Sequence, residues 1–233
     1  MPPRVVMISF WRNDSDRFID KRAMHLLKKT YPNLRWIWSV GDCTDDTEAV
    51  LREYAEGHDV EFVDSTTGIE GAAMPERLRR LSRTASITFE YIREDDDYVM
   101  VHESDLESPS DVIERLLSHG NMPIAAWPMF KIEGGKEVFY DIWAFHRYHS
   151  LFLGQRPYHI AWLDRDGDVF EVDGFGSVWM AEARDIRGMK IETEAVREIC
   201  RNLKSRGRRL WTDCSLTVIQ PPYLYEEHVV THL

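Results

Sequence analysis

Residues 98–117 read YVMVHESDLESPSDVIERLL, and the way this stretch divides decides the fold. Its first residues are a short apolar run of the kind a strand buried on both faces needs, while Val112, Ile113, Leu116 and Leu117 fall at helical spacing. Between them Glu103, Asp105 and Glu107 stand where the strand stops, followed by Ser108, Pro109, Ser110 and Asp111, residue types that open helices. The stretch is one strand, one acidic loop and one helix.

The same unit recurs upstream. VVMISFW (5–11) is an almost uninterrupted apolar strand, and NDSDRFIDKRAMHLLKKTYPN (13–33) offers Asp and Ser caps, apolar residues Phe18, Ile19, Met24, Leu26 and Leu27, and Pro32 beyond Lys28 and Lys29. LRWIWSV (34–40) is a second strand, TDDTEAVLREYAEG (44–57) a capped helix closed by Gly57, and VEFVD (60–64) a third strand. From Pro75 to Arg93 a further helix puts Leu78, Leu81, Ala85, Phe89 and Ile92 on one face. Alternation of this kind predicts an α/β fold: a Rossmann-like, mostly parallel sheet with helices on both sides. Downstream, IAAWPMF (124–130), KEVFYDIWAFH after the Gly134–Gly135 turn, and LWTDCSLTVIQPP (210–222) read as strands, and a helix is expected to begin at Glu192–Glu194.

Composition narrows the function classes. At 233 residues with 43% hydrophobic content the chain suits a single domain, 1–233. A formal net charge of −11 opposes general polyanion binding. The three cysteines, Cys43, Cys200 and Cys214, have no metal-type spacing, and no apolar run reaches membrane-spanning length, so a protein of a reducing cytoplasm without a membrane anchor is expected.

Open sheets bind ligands beyond the carboxyl ends of their strands. Here those ends are Ser9–Asn13, GDCTDD (41–46) and HESD (102–105). If the backbone stays extended, Glu103 and Asp105 point the same way, and two hard carboxylates suit Mn2+ or Mg2+ completed by water and a diphosphate. The plain alternative is a polar loop that caps the next helix. The Asp95–Asp97 run precedes its strand, at the opposite end of the sheet, and reads as a solvated loop.

The order of GDCTDDT, RLRRLSRTASITFEYI, YVMVHESD with its following Pro and helix, YDIWAF, DGFGSVWMAEARDI and IETEAV resembles GT-A fold glycosyltransferases, family 2 and the fungal Anp-type mannan α-mannosyltransferases in particular. The resemblance implies a single GT-A domain with a nucleotide-binding half (1–120) and an acceptor- and sugar-binding half (121–233). It implies a metal held by Glu103, Asp105 and His228. Ser9, Asp42, Arg83, Ser104, Gly174 and Gly176 would bind a UDP- or GDP-sugar, with Arg83 on the diphosphate. Tyr140, Asp141 and Trp143 would line the acceptor pocket, and Glu194 or Glu192 would take the proton of an acceptor hydroxyl. Glu103 departs from the usual Asp of the motif. The expected protein is a cytoplasmic bacterial enzyme, or a viral one acting in the host cytoplasm.

Other readings stay open. The basic stretch REICRNLKSRGRRL (197–210) suggests a phage-type enzyme that glycosylates a hydroxymethylated DNA base. Glu103 leaves room for a non-catalytic subunit that binds nucleotide sugars. A nucleotidyltransferase fits less well, because SFWRNDSD (9–16) lacks a glycine-rich phosphate loop.

Overall fold

The computed structural model describes residues 1–15, 18–71, 73–131, 137–139, 146–147, 150–151 and 169–220. In chain order the elements are β1 (Val5–Trp11), α1 (Ile19–Leu27), β2 (Leu34–Val40), α2 (Thr47–Tyr54), β3 (Val60–Asp64), α3 (Met74–Thr88) with a 3-10 turn at Phe89–Tyr91, β4 (Tyr98–His102) and α4 (Val112–Leu117). There follow β5 (Ile124–Lys131), β6 (Glu137–Phe139), β7 (His146–Arg147), β8 (Ser150–Leu151), β9 (Val169–Val172), β10 (Val178–Glu182), α5 (Ala183–Ile186), α6 (Val196–Ser205) and β11 (Leu210–Gln220).

The main sheet runs β3-β2-β1-β4-β10-β5-β11-β9, with β6 paired to β5. β3, β2, β1, β4, β5 and β11 are parallel. β10 is antiparallel to β4 and β5, and β9 is antiparallel to β11. The α/β, mostly parallel architecture is therefore as expected. The inserted antiparallel strand was not, and it threads the later part of the chain between β4 and β5.

Each central strand is buried on both sides because its alternate residues serve two cores. Val6 and Ile8 face one cluster, with Ala85 of α3, Phe89 of the 3-10 turn, Ile186 of α5 and Ile199 and Leu203 of α6. Val5, Met7 and Trp11 face the other, with Leu26 of α1, Leu51 of α2 and Leu116 of α4. Burying such side chains is worth about 1.5–3 kcal/mol each, which explains why the unbroken apolar runs hold the middle of the sheet. Among the described residues no helix is long and apolar enough to cross a membrane.

Three sequence expectations need correction. Leu81, expected on the buried face of α3, is 38% exposed, while Arg80, Ser82 and Ser86 are buried. α6 starts at Val196 and not at Glu192–Glu194, because the Glu198 carboxylate accepts the backbone N–H groups of Glu192 (3.0 Å) and Thr193 (3.1 Å) and holds that segment in a loop. The Asp95–Asp97 run does lie at the far end of the sheet, but it is not simply solvated. Asp96 has a fully buried side chain and accepts from Arg35 Nε (3.0 Å) and Nη2 (2.5 Å); Asp95 pairs with Arg4, and Asp97 accepts the Arg4 N–H (2.7 Å).

Arg35 is buried at the amino end of β2, so its charge depends on Asp96. Removing one partner of a buried pair costs about 3–5 kcal/mol, because the other is left uncompensated. Asp96→Ala should lower the unfolding free energy by roughly that amount, while Asp95→Ala, at an exposed pair, should lower it by less than about 1 kcal/mol in urea titrations.

Candidate functional site

The strand order reverses at β1: β2 and β3 lie to one side, β4 and its neighbours to the other. Beyond the carboxyl ends of β1, β2 and β4 lies the crevice in which open α/β sheets usually hold ligands; α1 and α4, which follow β1 and β4, pack on the same face of the sheet. The loop after β1 bends at Asn13 (φ 51°) and the loop after β2 at Asp42 (φ 52°), residue types that tolerate the left-handed region. Asn13 Oδ1 accepts the Thr44 N–H (2.7 Å), tying the two loops together. Gly41 sits so close to the β3 exit that a Cβ there would lie 2.5 Å from the Ser65 carbonyl carbon.

Asp42 holds the loop after β3. Its Oδ1 accepts the N–H groups of Thr67 (3.1 Å) and Gly68 (2.9 Å), and its Oδ2 accepts the Thr67 hydroxyl (2.6 Å). Partial burial works against its charge, but these bonds and the Arg12 guanidinium hold the carboxyl below the usual range. From the other side Arg80 Nη1 donates to the carbonyls of Ile69 (3.0 Å) and Gly71 (3.2 Å). Loop 67–71 is thus clamped between a carboxylate and a guanidinium.

The β4 exit differs from the sequence expectation. Leu106 N–H donates to the Glu103 carbonyl (3.3 Å), so residues 103–106 form a turn and extended-backbone geometry does not apply to Glu103 and Asp105. Ser104 Oγ donates to the Phe10 carbonyl (3.3 Å), tying this turn to β1. The half-buried Asp105 accepts from Gln220 Nε2 (2.9 Å) at the end of β11. Burial and the neighbouring charge of Asp14 push its carboxyl up to about 6, against the pull of Arg22 and Arg77. Glu103 is half-buried, and its N–H donates to the Ser177 carbonyl (3.2 Å). Among the described residues no group of three or more His, Cys, Asp or Glu is arranged to hold a metal.

The remaining sequence candidates are dispersed. Ser9 is fully buried inside β1. Gly174 and Gly176 are buried in the turn into β10, where the left-handed residue is Ser177 (φ 63°). Arg83 and Glu192 share an open groove beside α3, and Glu194 pairs with Arg201 (2.6 Å). Tyr140, Asp141, Trp143 and His228 lie outside the described residues. The basic stretch is turned toward the protein's own groups: Lys204 pairs with Asp173, Arg208 with Glu182 and Asp185, Arg209 with Glu171, and Arg206 donates to the Asp185 carbonyl.

Of the free cations, sequence reasoning singled out Arg83 and missed Arg12 and Arg77. Among the residues whose side chains are described, the arginines that make no side-chain hydrogen bond or ion pair are Arg12, Arg77, Arg79 and Arg83. Arg12 and Arg77 bear electrostatically on Asp42, Arg80 and Asp105, so they border the crevice. No protein-family model matches this chain, and no curated protein matches it significantly in sequence.

Beneath the acidic turn lies a buried network centred on Ser108. Its N–H donates to His25 Nε2 (2.8 Å), its carbonyl accepts from Lys29 Nζ (3.0 Å), and its hydroxyl meets His102 Nε2 (2.8 Å). His102 Nδ1 lies 2.8 Å from the Glu103 carbonyl, so Nδ1 carries the proton and Nε2 accepts. Burial, aided by the Lys29 charge, lowers His25 to about 4 and His102 to about 3.

Both imidazoles stay neutral in the folded protein while the unfolded chain protonates them near pH 6.5. Their stabilisation is therefore complete above that pH and is lost as pH falls. Asp105 runs the other way, since a raised carboxyl binds its proton first in the folded state and offsets one imidazole below about pH 6. Between pH 5.5 and 4.5 the two imidazoles, less Asp105, make unfolding take up about one proton, a fall of about 1.4 kcal/mol per pH unit, and carboxyls held low in the folded state, Asp42, Glu198 and Asp213 among them, add to it in the same direction. In urea titrations across this range His25→Gln should reduce that slope by nearly one proton, roughly 1.2 kcal/mol per pH unit; an unchanged slope would show that His25 does not titrate as described.

Proposed function

We propose that the protein is a metal-dependent glycosyltransferase that moves a sugar from a UDP- or GDP-linked donor to a hydroxyl acceptor. One observation carries the reading: at the carboxyl ends of the central strands the charge of Arg12 acts on Asp42 and that of Arg77 on Asp105, and neither guanidinium is taken up by a hydrogen bond or ion pair within the protein. Unengaged guanidinium groups beside carboxylates suit a ligand that brings its own phosphates and a cation.

Asp42 already accepts three hydrogen bonds, which leaves about one of a carboxylate's four lone-pair positions for the ribose or base of the donor. Arg12 and Arg77 bind the diphosphate. For the cation, burial and Asp14 make the ionised form of Asp105 costly, a cost that a divalent ion offsets. Asp105, with Glu103 beside it, fits the arrangement in which Mg2+ or Mn2+ takes one or two carboxylates and completes its shell with phosphates and water. Bound there, the ion would neutralise the departing nucleoside diphosphate.

The acceptor hydroxyl attacks the anomeric carbon as the bond to the diphosphate oxygen breaks, and its proton passes to a carboxylate. Glu194 is occupied by Arg201, whereas the Glu192 side chain is exposed and makes no hydrogen bond or ion pair, so Glu192 is the better placed to receive it.

A panel of UDP- and GDP-sugars should raise the melting temperature with one nucleotide class, and only with Mn2+ or Mg2+ present. Asp105→Asn should abolish the shift and Arg77→Ala should weaken nucleotide affinity at least tenfold. Absence of any shift with well-folded wild-type protein would reject the donor site.

A further inference from the structure

The groove beside α3 has a volume of about 720 Å³, within the range of small-molecule sites. Arg79 and Arg83 line it from successive turns of α3. Both are exposed and neither has a partner. Like charges four residues apart on a helix cost a few tenths of a kcal/mol, and in a chain with 40 acidic residues against 29 basic ones nearby carboxylates could have neutralised them. Among the described arginines most do have partners.

The opposite wall is fixed to the same helix. Ser86 Oγ donates to the Ile191 carbonyl (3.0 Å) and accepts the Ile191 N–H (2.7 Å), and Ser82 Oγ accepts the Ala195 N–H (2.8 Å). Lys190, on that wall, is joined to Glu90. Ile69 contributes from loop 67–71, the loop clamped by Asp42 and Arg80, so this loop belongs to both the groove and the crevice. Glu192 and the ring of Tyr91, which is 42% exposed, complete the lining.

We propose that this groove is a second anion site, built for the phosphate group of a small phosphorylated sugar. Two guanidinium groups offer paired donors to the several oxygens of a phosphate. Glu192 accepts from sugar hydroxyls, and the Tyr91 ring packs against a pyranose face. That this ligand is the acceptor rests on the transferase reading above; that the groove binds a phosphorylated sugar does not.

Calorimetric titration of nucleotide-free protein separates the two. Glucose 6-phosphate should bind, glucose should not, inorganic phosphate should bind at least fivefold more weakly than the hexose phosphate, and Arg79→Gln/Arg83→Gln should lose at least tenfold in affinity. Asp105→Asn should leave this binding unchanged, whatever becomes of the nucleotide shift. Equal binding by wild-type and the double variant, binding lost in Asp105→Asn, or equal affinity for inorganic phosphate and hexose phosphate would each overturn the assignment.

Discussion

The buried pair between Arg35 and Asp96 is the interaction on which the arrangement of the sheet depends. Arg35 belongs to β2, and Asp96 lies just ahead of β4. Between those strands runs β1, whose leading Arg4 is gripped by Asp95 and Asp97. Arg35 also reaches Glu61 of β3 (3.1 Å), which in turn pairs with Arg93. One set of charges thus spans the amino ends of β3, β2, β1 and β4. Any other neighbour order would leave a buried guanidinium or carboxylate uncompensated, a heavier penalty than a pair of this kind contributes as net stabilisation. Through this clasp the chain specifies which strand ends lie side by side at the opposite end of the sheet.

The opposite end is organised by different means. Its loops are held by side chains that bond to backbone: Asp42 and Arg80 around loop 67–71, Asn13 to Thr44, Ser104 to the β1 carbonyl, and the Ser108 network under the β4 turn. Glu107 and Ile219 exchange backbone hydrogen bonds of 2.8 Å, carrying the β4 loop across to the end of β11. A site built on such loops is preorganised without sitting on strands, and it leaves free the groups, Arg12 and Arg77, that no internal bond requires.

Much of the framework was legible because β1, β2 and β3 are short segments rich in apolar and β-branched residues, flanked by polar punctuation, and their observed limits are those read from the chain. The antiparallel direction of β10 was not legible. VWMAE has the apolar character of a parallel core strand, and direction is decided by its pairing with both β4 and β5 and not by periodicity. In α3 the helical period identified a helix but misjudged its face, because Arg80, Ser82 and Ser86 are buried for the loops they bind and not for the sheet. The acidic residues at the β4 exit were found from their position, yet the turn at 103–106 depends on contacts with β1 and β10 that lie far away in sequence. Arg12 and Arg77 could have been noticed only by asking which cations lack a partner, a question that needs the coordinates.

Trp11 closes β1 and stacks on Trp38 of β2, with ring centroids 5.6 Å apart and planes inclined at 56°. Both indoles are almost wholly buried, and the Arg22 guanidinium lies 5.9 Å from the Trp11 ring while it pairs with Asp14. Asp14 is the charge that acts on Asp105. Two indoles this close couple their strong transitions, so the far-ultraviolet circular dichroism of the protein includes a tryptophan couplet from this pair. The molecule holds a built-in optical reporter of that region, readable without a dye or a label.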